Sequence, residues 1–453
     1  MSKRGLSVSL KLMLCGCCLT FVQATLAQTA STAALTGTIA DPTVAVIANA
    51  TVTVTNTANN QTRTVTSDAA GVYRIPLLEP GNYRVRFTAT GFKTAEITSV
   101  TLTVTETSTL DRTLEVGAQA EQVTVEAEVE VLQSATSSLG TTVTGQTIGT
   151  LPLAARNFTQ VLGMSSGVAV DVTNGAAFGK GTQNMSVNGL HSSKNNFQMD
   201  GVNMNNIAGD GTAQDGGLYT GIAVPSPDSL QEFKIQTSTY DASFGRNPGA
   251  NVNVVTKSGT NSLHGSLFEY FRNEALNAND FFYNATSPLS AQGVKQTLKQ
   301  NQFGGTLGGH IKKDKLFYFG SYQGTRQRNG VVSQGSSTVT LYPIPGNRES
   351  ADFQQRLGAA LCHGGPGVGT PLVPSVPITC DGSTINPVAI ALLRVKLPNG
   401  NYYIPGSGTS GTTTQLISNP AKFTENQYLG NVDWVMTPKN TLQMKWFFVD
   451  DPT

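Results

Sequence analysis

Residues 226–265 read SPDSLQEFKIQTSTYDASFGRNPGANVNVVTKSGTNSLHG. An acidic-led start at Asp228 runs into an alternating segment through Glu232. A Gly/Asn-rich bend, a second strand-like run from Asn251 to Thr256 and a turn signal at Ser258-Gly259 follow. Before this stretch the chain has the texture of small soluble modules. After it, long amphipathic strands are joined alternately by tight turns and long loops. The stretch therefore marks a change of physical environment, and the reading of each side follows from that.

With 453 residues, 39% of them hydrophobic, and a mean hydropathy of −0.12, the chain can bury the cores of roughly three domains. It holds 47 glycines and only 13% charged residues, where a soluble domain typically has about 25% charged residues and about 7% glycine. Polar but weakly charged composition suits turn-rich β structure, and it suits a wall with one face in lipid and the other in a wet lumen. The balance of 30 Lys+Arg against 29 Asp+Glu leaves a net charge of +1, which gives no footprint for nucleic acid.

Residues 1–27 read as a secretory signal: Lys3 and Arg4 lead, Leu6 to Val22 is mostly apolar, and Thr25-Leu26-Ala27 offers a cleavage site. Lipid acylation at Leu14-Cys15-Gly16-Cys17 and a retained anchor are the alternatives. No later run is long and apolar enough for a membrane helix. Export leaves Cys362 and Cys380 in an oxidising compartment, where they are a candidate disulfide pair closing one Gly/Pro-rich loop, with two free thiols as the alternative.

In residues 34–116 the apolar positions Val52 and Val54, Tyr73 and Ile75, Tyr83, Val85 and Phe87, and Leu102 and Val104 alternate with polar neighbours. The pattern predicts a β-sandwich with turns at Asp68-Ala69-Ala70-Gly71 and Glu79-Pro80-Gly81-Asn82. Together with Leu35-Thr36-Gly37-Thr38-Ile39 and Gly91-Phe92-Lys93 these turns resemble the carboxypeptidase-regulatory-like domain, a transthyretin-like sandwich. The resemblance implies a binding or spacer module without peptidase chemistry.

Residues 119–133 form a short acidic linker in which Glu121, Glu126, Glu128 and Glu130 surround Val123, Val125, Val129 and Val131. Such a segment is a strand or an extended linker whose edge can accept a partner strand. Glu121 to Ala127 also resembles the TonB box, which implies engagement by the periplasmic domain of TonB and its inner-membrane energising partners. Glu121, Val123, Val125 and Ala127 are the coupling candidates.

Residues 140–260 carry a candidate short helix within Ile148 to Gly163, after Leu151-Pro152, two alternating pieces within Asn184 to Asp200, and a turn at Asp200-Gly201. His191 reads as a turn or surface residue rather than a metal ligand. Leu151 to Gln160, Ser186 to Gly189, Asn196 to Val202, Pro227 to Lys234, Phe244-Gly245-Arg246 and Asn253 to Asn261 resemble, in order, the plug of TonB-dependent receptors, in particular the Oar-like branch. Glu232 and Arg246 are candidate charged contacts between plug and barrel lumen, or groups solvated or paired within the plug.

From residue 262 to 453 the alternation lengthens. Leu263 to Phe271, Gln300 to His310, Leu316 to Gln327, Asn426 to Val435 and Leu442 to Val449 are predicted membrane strands. Residues 272–299 and 328–425 are predicted long irregular loops between them, and the alternation of short turns with long loops is that of an outer-membrane barrel. Gly304 to Gly309 lack the spacing of a nucleotide loop, and the segment resembles an early barrel hairpin of the same family, with His310 where Pro is more usual. Tyr318, Tyr322 and Trp446 suit an interfacial belt or ordinary sheet packing.

The expected fold class is mainly β: a sandwich, a mixed α/β plug and the first strands of an incomplete barrel. Five strands cannot close a barrel, so an N-terminal piece of a longer protein or a truncated product is expected. The resemblance implies TonB-dependent outer-membrane transport, with outer-membrane lipid, the barrel-assembly machinery and an extracellular ligand as partners and the N-terminal module in the periplasm. The ligand stays open among siderophore, glycan, peptide and vitamin. The alternative is a surface adhesin or assembly protein on the same scaffold. No catalytic constellation, cofactor or metal site is expected, because the four histidines at 191, 264, 310 and 363 have no ligand or triad pattern around them.

Overall fold

The computed structural model describes residues 31–117, 122–125, 138–151, 153, 155–170, 179–180, 185–205, 224–238, 240, 244, 248–279, 281–286, 295–331, 336–362, 378–398, 400–404, 406, 413–418, 420–438 and 440–450. The chain divides into two compact units. One comprises residues 1–269, 302–325 and 425–452, the other residues 270–301, 326–424 and 453.

In the first unit the sandwich is built from β1 (Ala33–Ala40), β2 (Thr51–Asn56), β3 (Thr62–Thr66), β4 (Val72–Leu78), β5 (Gly81–Thr88), β6 (Thr94–Leu102), β7 (Thr107–Thr109), β8 (Arg112–Thr113) and β9 (Gln122–Val125). One sheet runs β4-β1-β7, with β8 also on β1; the other runs β3-β2-β5-β6-β9. Each apolar residue singled out by the alternation is buried. Side chains of alternate residues stand on one face of a strand, and burying each contributes about 1.5–3 kcal/mol relative to exposure. The Asp68 turn forms as expected, its Oδ1 accepting from the backbone N–H of Ala70 and of Val72, each at 2.9 Å. Buried polar groups find local partners: Ser67 Oγ accepts from Ala50 N and donates to Ile47 O, and Tyr73 Oη donates to Leu110 O.

The plug-like module holds β10 (Leu139–Thr144), α1 (Gly145–Thr150), a 3-10 turn at Phe158–Met164, β11 (Val168–Val170), β12 (Met185–Val187), β13 (Asn196–Met199), β14 (Val202–Asn203), β15 (Leu230–Ser238) and β16 (Asn251–Thr256). Its sheet runs β10-β15-β16-β13-β14. The expected helix after Leu151-Pro152 is displaced. Helix α1 is capped by the Thr144 side chain and ends before Leu151, and Phe158–Met164 takes 3-10 form behind an Asn157 cap. Proline at 152 disfavours helical geometry in the residue before it, so the helical signal is split on its two sides. Phe158, Val161, Leu162, Phe197, Phe233, Ile235, Val252 and Val254 form this module's core.

The wall strands are β17 (His264–Asn273), β18 (Leu298–Lys312), β19 (Leu316–Asn329), β22 (Ala421–Thr437) and β23 (Asn440–Asp450), in the sheet order β17-β18-β19-β22-β23; β20 (Ser336–Leu341) and β21 (Thr413–Ser418) pair with each other. Along β23, Leu442, Met444, Trp446 and Phe448 are exposed, while Gln443 and Lys445 between them bond inward to Glu79 and Asp200. This is the expected outward-apolar, inward-polar alternation. At the tight β18–β19 turn Asp314 Oδ1 accepts from Asn60 Nδ2 of the sandwich at 2.9 Å and from Asn261 Nδ2 at 2.8 Å. The sandwich thus lies on the short-turn side of the wall.

In the second unit the connections expected to be irregular carry structure of their own. Asn273 caps a 3-10 turn at Glu274–Leu276, and α2 (Phe281–Thr286) follows. The β20–β21 ribbon precedes and follows a small helical body of α3 (Phe353–Leu361) and α4 (Pro387–Arg394), whose core is Ile344, Phe353, Leu357 and Ile390. Buried Arg348 donates through Nη1 to Leu393 O and Ile404 O and lies over the Tyr402 ring at 4.3 Å. A disulfide joins Cys362 to Cys380. Propensity for loop residues is a weak guide here, because Asn386 and Pro387 make a strong helix start and the disulfide closes the loop that precedes it.

The crossing from plug to wall at Ser258-Gly259 depends on glycine. A Cβ on Gly259 would lie 2.4 Å from the carbonyl oxygens of both Gly309 and Tyr318, whereas one on Gly320 would meet nothing within 4 Å. Gly259→Val is expected to lower unfolding free energy by about 1–3 kcal/mol in a urea titration of the refolded protein, with Gly320→Val close to wild type.

Candidate functional site

The chemistry of the first unit is concentrated where plug and wall meet. The sequence pieces that are individually weak turn out to be one another's partners. Arg156 sits in left-handed backbone conformation (φ 50°), is buried, and pairs with Asp228. Its guanidinium also lies over the wall's Phe268 ring at 4.5 Å and donates through Nε to Gln323 Oε1 at 3.4 Å. The neighbouring Asn157, fully buried, donates from Nδ2 to Lys180 O and caps the 3-10 turn with Oδ1.

Lys180 forms a buried link to the wall. Its Nζ lies 3.3 Å from Glu425 Oε1 on β22 and donates to Val224 O at 3.2 Å, with both charged side chains buried. Burial pushes the Lys180 amine down, and the Glu425 carboxylate works against that shift. Around this pair the wall supplies amides: Gln302 Nε2 donates to Ala155 O, Gln427 Nε2 to Val224 O, and Asn431 Nδ2 to both Thr256 Oγ1 and Lys257 O. At the short-turn end Asp200, in the left-handed turn with Gly201, accepts from Thr256 and pairs with Lys445 Nζ at 2.7 Å. A polar cleft of about 610 Å³ opens there, lined by Glu79, Asn82, Glu232, Thr256, Lys257 and Lys445 among others.

Glu232 lies on β15 facing the sandwich rather than the wall. One carboxylate oxygen accepts from the backbone N–H of Val104, and Lys234 Nζ sits 3.8 Å from Glu106 Oε2. Burial raises the Glu232 carboxyl to about 7, outweighing the Val104 hydrogen bond and the Lys234 charge, which pull the other way. The same burial lowers the Lys234 amine against the pull of Glu106 and Glu232. The other sequence candidates divide. Glu121, Ala127 and Arg246 lie outside the described residues, and Val123 and Val125 fall in β9, paired with β6. Among the described residues no group of three or more His, Cys, Asp or Glu is placed to hold a metal ion.

The pairs Arg156–Asp228, Lys180–Glu425 and Asp200–Lys445 were not singled out from sequence. The signal available was a charged residue inside an otherwise small and apolar stretch, as at Arg156 and Lys180, since such residues are rarely buried unless paired. Two outcomes follow. Lys180→Met is expected to cost about 3–5 kcal/mol because it strands a buried carboxylate, and adding Glu425→Gln is expected to recover part of that loss in a double-mutant cycle by urea unfolding. For Glu232, a raised folded value means that the folded state holds the proton more tightly than the unfolded chain. Its contribution is therefore full below about 4.5 and is lost as pH rises through about 7. Glu232→Gln should flatten that part of the stability–pH curve.

Comparison with known proteins agrees with this layout. Residues 34–115 match the carboxypeptidase regulatory-like domain, residues 129–252 the TonB-dependent receptor plug domain, and residues 255–453 an outer membrane beta barrel domain. The TonB-dependent transporter Oar of Myxococcus xanthus is 29% identical over 289 residues, which are 61% of this chain and 26% of that protein. The chain thus spans about a quarter of the length of the curated relative it matches. Among solved structures, the outer membrane transporter YddB from Escherichia coli aligns over 69% of this chain and 33% of its own, at 11% identity and a TM-score of 0.40. A ferric enterobactin receptor, PfeA, from Pseudomonas aeruginosa aligns over 68% and 32%, at 11% identity and a TM-score of 0.36. Its three consecutive matches give the chain the domain order carboxypeptidase regulatory-like domain, TonB-dependent receptor plug domain and outer membrane beta barrel domain.

Proposed function

We propose that this chain supplies the periplasmic module, the plug and the first wall strands of an energy-coupled outer-membrane transporter. The observation that carries the reading is the chemistry of the plug–wall seam. Gln302, Gln323, Gln427 and Asn431 on the wall are buried, and they meet backbone carbonyls, a hydroxyl and the Arg156 guanidinium of the plug rather than an apolar core. A seam of this kind holds a position, yet loses little when water replaces the protein partners, because the net worth of one hydrogen bond is only about 0.5–1.5 kcal/mol. Among the described residues Gln323 Nε2, Gln427 Oε1 and Asn431 Oδ1 meet no hydrogen-bond partner, which favours hydration there. A fixed plug in a permanent scaffold gains nothing from such an interface; a plug that shifts does.

In this reading Glu121 to Ala127 is the coupling segment for the periplasmic domain of TonB, powered by its inner-membrane partners. The barrel-assembly machinery inserts the wall into outer-membrane lipid. The long connections that carry the helical body and ribbon of the second unit recognise an extracellular ligand such as a glycan, siderophore or peptide. No covalent step is required. Deleting residues 121–127 is expected to abolish energised uptake while leaving the protein in the outer-membrane fraction. Recovery of the intact protein as a soluble secreted species contradicts the location, and unchanged uptake contradicts the coupling role. Ligand capture that is indifferent to membrane energy favours an adhesin on this scaffold.

A further inference from the structure

The centre of the candidate coupling segment is already part of a sheet. Strand β9 pairs in parallel with β6 through Thr94↔Gln122, Ala95↔Val123, Glu96↔Thr124 and Ile97↔Val125. On its other side β6 is held by β5, and Ala95, Ile97, Val100 and Leu102 root it in the sandwich core. Strand β9 ends the order β3-β2-β5-β6-β9, so among the described residues no strand pairs with its outer edge. Backbone groups of successive residues in a strand point to opposite edges, so pairing with β6 occupies one set and leaves the other directed outward, a template for a further strand.

We infer that the sandwich is half of the docking site: the partner's strand adds outside β9 as a sixth strand while β9 stays on β6. This rests on the reading of Glu121 to Ala127 as the coupling segment and says how that segment is presented. A free segment offers both edges and no fixed register, whereas β6 removes one edge and fixes which residues face the partner. It also holds the segment extended before the partner arrives, which lowers the ordering cost of association. The occupant is an extended strand from the periplasmic energy-transducing protein, and its flanks are basic, because Glu121 precedes β9 in the sequence and Glu126, Glu128 and Glu130 follow it. A pull on β9 then reaches the plug partly through the sandwich, which meets β15 at Val104–Glu232 and Glu106–Lys234.

The test uses the full chain in detergent and the purified periplasmic domain of TonB. Glu96→Cys with Thr124→Cys, oxidised, ties β9 to β6 at a register pair, and each single-cysteine variant serves as reference. The locked chain is expected to bind with a Kd no more than about threefold weaker than the references. Any larger loss overturns the proposal and makes β6 a competitor of the partner. Hydrogen exchange on the unmodified chain gives the same decision without relying on the variant. On binding, amides of Gln122–Val125 gain protection and those of Thr94–Ile97 keep theirs; exposure of Thr94–Ile97 overturns it. A chain lacking residues 121–127 that binds TonB as well as wild type overturns the coupling reading itself.

Discussion

The structure depends on one constraint: polar side chains that the wall turns inward must be answered by the plug. A strand that crosses a membrane exposes alternate residues to lipid, so the intervening ones face inside whatever their chemistry. Here they include Gln302, Gln323, Glu425, Gln427 and Asn431, all buried. An ionised Glu425 in that position is tolerable only beside a cation, and Lys180 supplies it from the plug. The plug's own architecture follows from this need. The left-handed turn at Arg156, the Asn157 cap and the Asp200-Gly201 turn each place a charged or amide group against the wall or against the partner that orients it.

The sandwich is tied to the same system at two levels. Its loop residue Asn60 and Asn261, just past the plug-to-wall crossing, share Asp314 at a tight wall turn, and Gln61 bonds to Thr441. Deeper, Val104 and Glu106 meet Glu232 and Lys234 on the central plug strand. Burial pushes the Glu232 carboxyl up against the pull of Val104 and Lys234.

Much of this was legible in the sequence because it rests on local periodicity. The sandwich core, the β23 alternation and the plug-to-wall crossing at Ser258-Gly259 each follow from period-two patterns or turn chemistry within about ten residues. The parts that were not legible depend on distant partners. Lys180 and Glu425 are 245 positions apart and no local pattern joins them, and the pairing of β9 with β6 is decided by which sheet edge remains open after the sandwich has formed. Glu232 was recognisable as a contact residue, but its facing toward the sandwich was not. In the long connections, low-propensity residues concealed helices that a cap, a disulfide and the buried Arg348 hold in place.

In this reading a polar, separable seam holds the plug, while the wall is held by its own continuous strand ladder. Hydrogen exchange of the membrane-embedded protein across a mild urea series tests it most directly. Amides of Leu230–Ser238 and Asn251–Thr256 should open at lower urea than those of Gln302–His310 and Leu316–Thr325. A single shared transition for plug and wall amides would contradict the claim.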